Sequence, residues 1–194
     1  MAVDSTRRTA LLKHLLDTLN PERALVFVAS QHAADHVAAK LNRKDRYATP
    51  FHGGLSQGAR QEVLAEFKEK RWDVVVTTDL AARGLDIEDM PLVVNYDLPR
   101  SADDHVHRIG RTGRAGRNGL AITLAERRDV GMIRRIERFT TQPIAVAVVA
   151  GLEPKFTAPS MNGPGFGGGT SGSAGACSPQ PARNNAASAT RIRS

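Results

Sequence analysis

The segment Ala24-Leu25-Val26-Phe27-Val28-Ala29 decides the fold of this 194-residue chain. An uninterrupted apolar run of this length is typical of a strand that is buried on both faces of a parallel sheet. Leucines recur at helical spacing within residues 6–19, which predicts a helix before the strand, and Pro21 ends that helix. Ser30 predicts the N-cap of a second helix directly after it. The chain therefore begins as a buried strand between two helices.

The same alternation of strand and helix continues along the sequence. Strands are predicted at residues 47–51, 73–77, 92–96, 120–124 and 144–149, and helices at residues 31–41, 56–68 and 126–139, with a further helix that begins near Ser101. Ser101 and Asp104 have the spacing of a capping box. Alternating strands and helices with short connections predict an α/β fold, a doubly wound, mostly parallel sheet with helices on both faces. Such sheets bind ligands at the carboxyl ends of their strands.

Composition divides the chain into a domain, residues 1–152, and a tail, residues 153–194. The tail is rich in Gly, Ser, Pro and Ala, and we expect it to be disordered because it has too little apolar surface to offset its ordering entropy. The formal net charge of +7 favours a polyanionic partner such as nucleic acid. No apolar run approaches the ~20 residues of a membrane span. The single cysteine, Cys177, and the lack of a secretory leader in this sequence predict a cytoplasmic protein.

The densest chemical signal is the segment His107-Arg108-Ile109-Gly110-Arg111-Thr112-Gly113-Arg114-Ala115-Gly116-Arg117. Arginines recur every three residues with small residues between them, a pattern suited to meeting several phosphate oxygens or carboxylates from one side. A salt-bridged surface turn is the alternative interpretation. The glycines permit close approach to a ligand or to another domain.

Two further segments lie where the predicted sheet would bind ligands. Thr77-Thr78-Asp79-Leu80-Ala81-Ala82-Arg83-Gly84-Leu85-Asp86-Ile87 follows a strand, so its hydroxyls could bond phosphate and Asp86 could accept from ribose hydroxyls. His52-Gly53-Gly54, with Gln57 and Arg60, is a glycine turn that opens a helix, and such a terminus can hold an anion. An ordinary turn with an N-cap is the alternative for the second segment.

The printed sequence contains no G-x-x-x-x-G-K-[ST] phosphate loop and no acidic metal-binding box of the Asp-Glu-Ala-Asp kind. Phosphoryl transfer needs such a cradle as well as arginines that reach the transferring phosphate. The arginine array therefore predicts one half of a split site, whose other half comes from another domain.

These motifs resemble, in order and spacing, the C-terminal RecA-like domain of DEAD-box ATP-dependent RNA helicases, from about Val3 to Leu152. The segment 26–28 is similar to motif IV, 57–60 to the Q-x-x-R element, 78–87 to motif V and 107–114 to motif VI. The particular form looks most like the bacterial RhlE-type branch. The Q motif, phosphate loop, DEAD box and S-A-T element of that family would all precede Met1.

The resemblance implies a role for each matching residue. Arg111 and Arg114 would be catalytic arginine fingers on the ATP γ-phosphate, while Asp86, Arg83 and Gly84 would bind the nucleotide. Gly53, Gln57, Arg60 and Thr78 would face RNA. His107 and Arg108, together with Arg83, would contact the partner domain.

The implied cofactor is ATP with Mg²⁺, the metal ligands being expected on the N-terminal RecA-like helicase domain, which is also the implied protein partner. The implied function is ATP-driven RNA unwinding and RNP remodelling by a two-state clamp, with this chain inactive alone. Three alternatives stay open: a fragment, a late-started gene model, or a stand-alone, non-catalytic RNA-binding module. A DNA-directed relative is disfavoured by the match of the arginine segment and the Q-x-x-R element.

Overall fold

A computed structural model describes residues 1–42, 46–83, 87, 89–113, 119–154 and 191–192. Its strands are β1 (Ala24–Phe27), β2 (Ala48–Phe51), β3 (Val74–Thr77), β4 (Leu92–Asn95), β5 (Gly119–Thr123) and β6 (Arg191–Ile192). Its helices are α1 (Arg8–Leu19), α2 (Gln31–Leu41), α3 (Gln57–Lys68), α4 (Asp79–Ala82), α5 (Ala102–Ile109) and α6 (Val130–Thr140). Short 3-10 turns at Ser5–Arg7 and Arg127–Asp129 precede α1 and α6.

The strands form one sheet in the order β2-β3-β1-β4-β5-β6. The first five run parallel, which confirms the predicted RecA-like arrangement, and β6 pairs antiparallel with β5. The register brings the last residues of the parallel strands into one row across the sheet. That row is Phe51, Thr77, Phe27, Asn95 and Thr123.

Alternate residues of the central strands pack on opposite faces of the sheet. Val26 and Val76 point into a cluster with the leucines of α1 and with Val37 of α2. Leu25 and Val75 point into a second cluster that includes Phe67 of α3, which is fully buried. Burying one such side chain contributes about 1.5–3 kcal/mol. Helices therefore cover both faces, as the continuous apolar strands predict.

Serine residues begin three of the helices. Ser30 and Ser56 accept hydrogen bonds from the N–H groups of Ala33 and Ala59, as expected of N-caps. Ser101 accepts from the N–H of Asp104 in the same way, but its hydroxyl also donates to the Asp104 carboxylate at 2.7 Å. In the predicted capping box the backbone N–H of Ser101 would donate to the Asp104 carboxylate. In the structure the Ser101 hydroxyl donates to that carboxylate instead.

The prediction of a strand at residues 144–149 is wrong. This segment forms no strand, and Val146 and Val148 are about half exposed. Its neighbour is the N-terminal segment, where the N–H of Ala2 donates to the carbonyl of Ala147 and Ala2 itself bridges to Ala125. The N-terminus thus takes the place beside β5 that a further strand would need. Residues 155–190 of the predicted tail lie outside the described residues.

Candidate functional site

The row of strand ends positions the segments singled out from sequence. The Gly turn follows β2, the threonine segment follows β3, and α5 with the arginine segment follows β4. Because neighbouring strands lie about 4.8 Å apart, these segments meet along one edge of the sheet. The carboxyl edge is therefore the candidate site.

Arg108 is a buried, extensively hydrogen-bonded side chain at this edge and is only 2% exposed. Its Nε and Nη2 donate to the two carboxylate oxygens of Asp79, at 2.5 and 2.8 Å. Its Nη1 donates to Oδ1 of Asn95 at 3.1 Å and to the backbone carbonyl of Asp97 at 2.7 Å. The guanidinium carbon also lies 4.9 Å from the centroid of the Phe27 ring. Arg108 thus ties together α5, the start of α4 and the end of β4.

These contacts bear on the role expected of Arg108. It was predicted to contact a partner domain, and the four hydrogen bonds described above join it to residues of its own domain. Its interdomain role stays a prediction. Asp79, Asn95 and Asp97 come from other segments and meet only in the folded state, and together they accept four of its N–H bonds. The arginine array is therefore not wholly outward facing.

Asp97 extends this network to α1. Its Oδ1 accepts from Nη1 of Arg8 at 2.7 Å, and its Oδ2 accepts from the N–H of Ala29 at 2.9 Å. Arg8 is itself buried and lies over the ring of Tyr96, 5.2 Å from the centroid. A continuous chain of polar contacts therefore runs from α1 through Asp97 and Arg108 to Asp79.

Arg111 projects from a backbone that is held on both sides. Its carbonyl accepts from the N–H of Met90 at 2.9 Å, and the hydroxyl of the next residue, Thr112, donates to the Met90 carbonyl. A Cβ added to Gly119 would lie 1.9 Å from Oγ1 of Thr112, so only glycine fits there. The predicted finger at 111 thus stands on a fixed base. Arg114, the other predicted finger, lies outside the described residues.

The threonine segment differs from expectation at Thr77. This residue is fully buried and its hydroxyl donates to the carbonyl of Thr78, so it does not reach a phosphate. Thr78 is half-buried at the N-cap of α4, consistent with an outward role. Gly84 and Asp86, both predicted to bind nucleotide, lie outside the described residues.

Arg83, the third predicted nucleotide residue, is paired within the domain. Its side chain is 65% exposed, and its Nη2 lies 3.0 Å from Oδ1 of Asp104. The hydroxyl of Ser101, with help from Arg83, holds the pKa of Asp104 below its usual range. His107 stands on the outer face of the same helix, 63% exposed, with Nδ1 3.4 Å from Asp103. Arg83 and His107 therefore both remain accessible.

The four residues predicted to face RNA follow two neighbouring strands: Gly53, Gln57 and Arg60 come after β2, in the Gly turn and α3, and Thr78 comes directly after β3. Gly53 and Gln57 are exposed, whereas Arg60 is half-buried with its guanidinium carbon 5.3 Å from the centroid of the Phe51 ring at the end of β2. Their role in binding RNA stays a prediction.

The Gly turn is held by a buried histidine. Nδ1 of His52 accepts from the N–H of Gly54 at 3.2 Å, and its Nε2 lies 3.0 Å from Oδ1 of Asp35. A Cβ on Gly54 would lie 2.7 Å from Oε1 of Gln31.

An apolar cavity of about 150 Å³ lies away from this edge, between α1, α6 and β5. His105 of α5 lines it, and the Nδ1 of that ring is buried with no hydrogen-bond partner. Burial, and secondarily the charge of Arg108, lowers the pKa of His105 to about 4.

We expect His105 to make the fold acid-sensitive. The pKa of His105 is about 4 in the folded domain and 6.5 in the unfolded chain. Above pH 6.5 the ring is neutral in both states, whereas between pH 6.5 and 4 only the unfolded chain binds the proton, and this favours unfolding. Stability should fall between pH 6.5 and 4, by on the order of 2–3 kcal/mol. Urea titrations across that range should show His105→Leu with a flatter profile, and His14→Gln, at an exposed site, with an unchanged one. An equal slope in His105→Leu would contradict the assignment.

Within the described residues, no helix is long and apolar enough to cross a membrane, and no group of three or more His, Cys, Asp or Glu side chains could hold a metal ion.

Several residues of the site are missing from the sequence-based set. Asp79 and Asn95 hold Arg108, and Asp97 links it to Arg8. One signal in the sequence, a polar residue at the end of an otherwise apolar strand, could have identified Asn95. Sequence spacing could not show that these residues contact Arg108.

The comparisons with known proteins agree with this arrangement. Residues 7–116 match the family described as Helicase conserved C-terminal domain. The chain is 45% identical over 130 residues to the ATP-dependent RNA helicase CshA of Listeria monocytogenes, covering 67% of this chain and 25% of that helicase. It is 42% identical over 159 residues to the ATP-dependent RNA helicase SrmB of Escherichia coli, covering 82% of this chain and 36% of that helicase. The chain thus spans about a quarter to a third of these relatives' length.

Solved structures show the same likeness. The crystal structure of E. coli SrmB bound to regulator of ribonuclease activity A matches with a TM-score of 0.75 and 41% identity, covering 82% of this chain and 94% of that chain. S. cerevisiae Dbp5 bound to RNA and ADP BeF3 matches with a TM-score of 0.66 and 30% identity, covering 71% of this chain and 37% of that chain. Assignment to the RhlE-type branch stays a prediction. The chain belongs to the DEAD-box RNA helicase family, and it carries that family's C-terminal helicase domain.

Proposed function

We propose that this domain is the second half of an ATP-driven RNA helicase motor, supplying arginine fingers, nucleotide contacts and RNA-backbone contacts to a cleft that an N-terminal helicase domain completes. The observation that carries the proposal is the fastening of motif VI to motif V by Arg108 and Asp79 at the carboxyl edge. This contact fixes the segment that ends in Arg111 relative to the segment that begins at Thr78. A predicted nucleotide residue, Arg111, and a predicted RNA residue, Thr78, would thereby keep a fixed relative position.

The residues at this edge fit ATP by their chemistry. Arg111 offers a rigid guanidinium on a pinned backbone, and Arg83 and Asp86 follow α4 close by in sequence. ATP with Mg²⁺, bound mainly by the N-terminal domain, would supply the transferable phosphoryl group. The part of this chain is to place positive charge where negative charge develops during transfer.

The RNA residues fit a backbone rather than a base sequence. Gly53, Gln57 and Thr78 offer main-chain and polar side-chain donors, and Arg60 a cation, which suits phosphate and sugar contacts. Closing the cleft on ATP would bring this surface beside the RNA surface of the other domain. Opening after hydrolysis would release the strand.

The face around α4 fits a protein partner. Leu80 is 78% exposed on this short helix, next to the buried Ala81 and Ala82. The exposed Arg83 pairs with Asp104, and the exposed His107 lies 3.4 Å from Asp103 on the same helix as Asp104. In the closed state, the N-terminal domain would cover Leu80 and these charged neighbours.

The proposal is tested by reconstitution. The chain is mixed with, and separately fused to, the N-terminal helicase domain of a DEAD-box relative such as SrmB, and phosphate release is followed with and without RNA. We expect RNA-stimulated ATP hydrolysis only when both halves are present, with the fusion active at lower protein concentration because its effective concentration is higher. Hydrolysis no faster than that of the N-terminal domain alone, in both formats, would contradict the proposal.

A further inference from the structure

The outer face of α6 is a basic surface that the proposed cleft does not use. We define it by the exposed side chains of Arg134, Arg135, Arg138 and Phe139. These positions are three to five residues apart or adjacent, so they lie on one side of the helix within about two turns. The opposite side of α6 buries Ile133 and Ile136.

No acidic side chain among the described residues pairs with Arg134, Arg135 or Arg138. Glu137, on the same helix, uses its Oε1 to accept from the N–H of Ile144 at 2.9 Å. Asp129, before the helix, accepts from the N–H of Glu126 at 2.8 Å. Each of these acids directs one carboxylate oxygen to a backbone N–H, and no salt bridge within 4 Å joins the three exposed arginines to an acid among the described residues.

Local helix stability does not account for this face. Arg134 and Arg138 are four residues apart, where like charges weaken a helix. Arg138 gains from the negative end of the helix dipole in the last turn, whereas Arg134 and Arg135 lie too far from that end to do so. Phe139 is 58% exposed beside them, although exposing an aromatic ring to water is unfavourable. Cations without a close ion pair, next to an exposed ring, are the groups that meet phosphates and stack on a base.

We infer that the outer face of α6 is a second binding site for single-stranded RNA, in which Arg134, Arg135 and Arg138 contact phosphates and Phe139 stacks on one base. The choice of RNA as the ligand rests on the proposed function. The site is separate from the RNA residues at the ends of β2 and β3, because α6 follows β5, which is three strands from β3. At about 4.8 Å per strand this is a separation of at least about 14 Å. The second site would hold RNA that flanks the strand in the cleft.

The test measures fluorescence anisotropy of a labelled 20-nucleotide single-stranded RNA with the whole chain alone, without ATP, at several salt concentrations. Removing three phosphate contacts in R134Q/R135Q/R138Q should make the slope of log K against log salt shallower by about 2, at roughly 0.7 per contact. The matched control, K13Q/K40Q/K70Q, removes three charges elsewhere and should keep the slope. Phe139→Ala should weaken binding about fivefold or more, whereas Tyr47→Ala, at another exposed aromatic residue, should not.

Three results would overturn the inference: a slope in the arginine variant equal to that of its control, an unchanged affinity in Phe139→Ala, or poly-glutamate that competes as well as RNA at equal charge. The last would assign the face to an acidic protein. Thermal melts check that the variants are folded. Because neither ATP nor the N-terminal domain is present, failure of the proposed motor function would show in the reconstituted ATPase and leave these binding curves unaffected.

Discussion

Replacing Arg111 by Ala should slow RNA-stimulated ATP hydrolysis by about 10³-fold or more in the fused two-domain protein. An arginine finger stabilises charge that develops on the transferring phosphate, so its removal is felt mainly in the transition state. The expected signature is a lowered kcat with a nearly unchanged KM for ATP. Arg111→Lys should restore little, because an ammonium lacks the guanidinium's planar fork of donors.

The backbone around Arg111 makes this test interpretable. The Met90 contacts hold the carbonyl of Arg111 and the hydroxyl of Thr112, so truncating the side chain leaves the base of the finger intact. Arg100→Ala, at an exposed arginine before α5, is the matched control and should keep full activity. A fused protein that hydrolyses ATP at the normal rate without Arg111 would refute the finger assignment. Arg114→Ala is expected to behave as Arg111→Ala does.

Much of the fold follows from local sequence. The strand β1 is an uninterrupted apolar run, β3 and β4 are apolar up to their last residue, and Ser30 and Ser56 cap the helices that were predicted to begin there. These features depend on neighbours within a few residues. The run at 144–149 shows the limit of the method, because a strand also needs a free edge and the N-terminal segment already lies beside β5.

The site was predictable as a place but not as a set of contacts. Parallel strands required the segments after β2, β3 and β4 to share an edge, and they do. Spacing could not show that Arg108 turns inward while Arg111 follows a pinned turn. That difference arises because Asp79, 29 residues away, and Asn95, 13 residues away, converge on Arg108. Thr77 likewise faces inward, because it ends a strand that is buried on both sides.

Arg108→Ala should lower the free energy of unfolding by about 3–5 kcal/mol, the usual cost of removing one partner from a buried ion pair. It would leave the Asp79 carboxylate without its two bonds and Oδ1 of Asn95 without a donor. A domain of this size has a total stability of about 5–15 kcal/mol, so the loss is a large fraction of it. The melting temperature, measured by circular dichroism, should fall by about 10 °C.

Arg83→Ala is the matched control, because it removes an arginine–aspartate pair whose guanidinium is 65% exposed and should cost less than about 1 kcal/mol. Arg108→Lys should recover part of the stability, since one ammonium can replace only some of the four bonds. If Arg108→Ala melted at the same temperature as Arg83→Ala, the buried network would not hold the edge together. If it melts earlier as expected, motif V and motif VI are coupled through this side chain inside a single domain. The relative position of Arg111 and Thr78 then depends on the buried Arg108 and its bonds to Asp79.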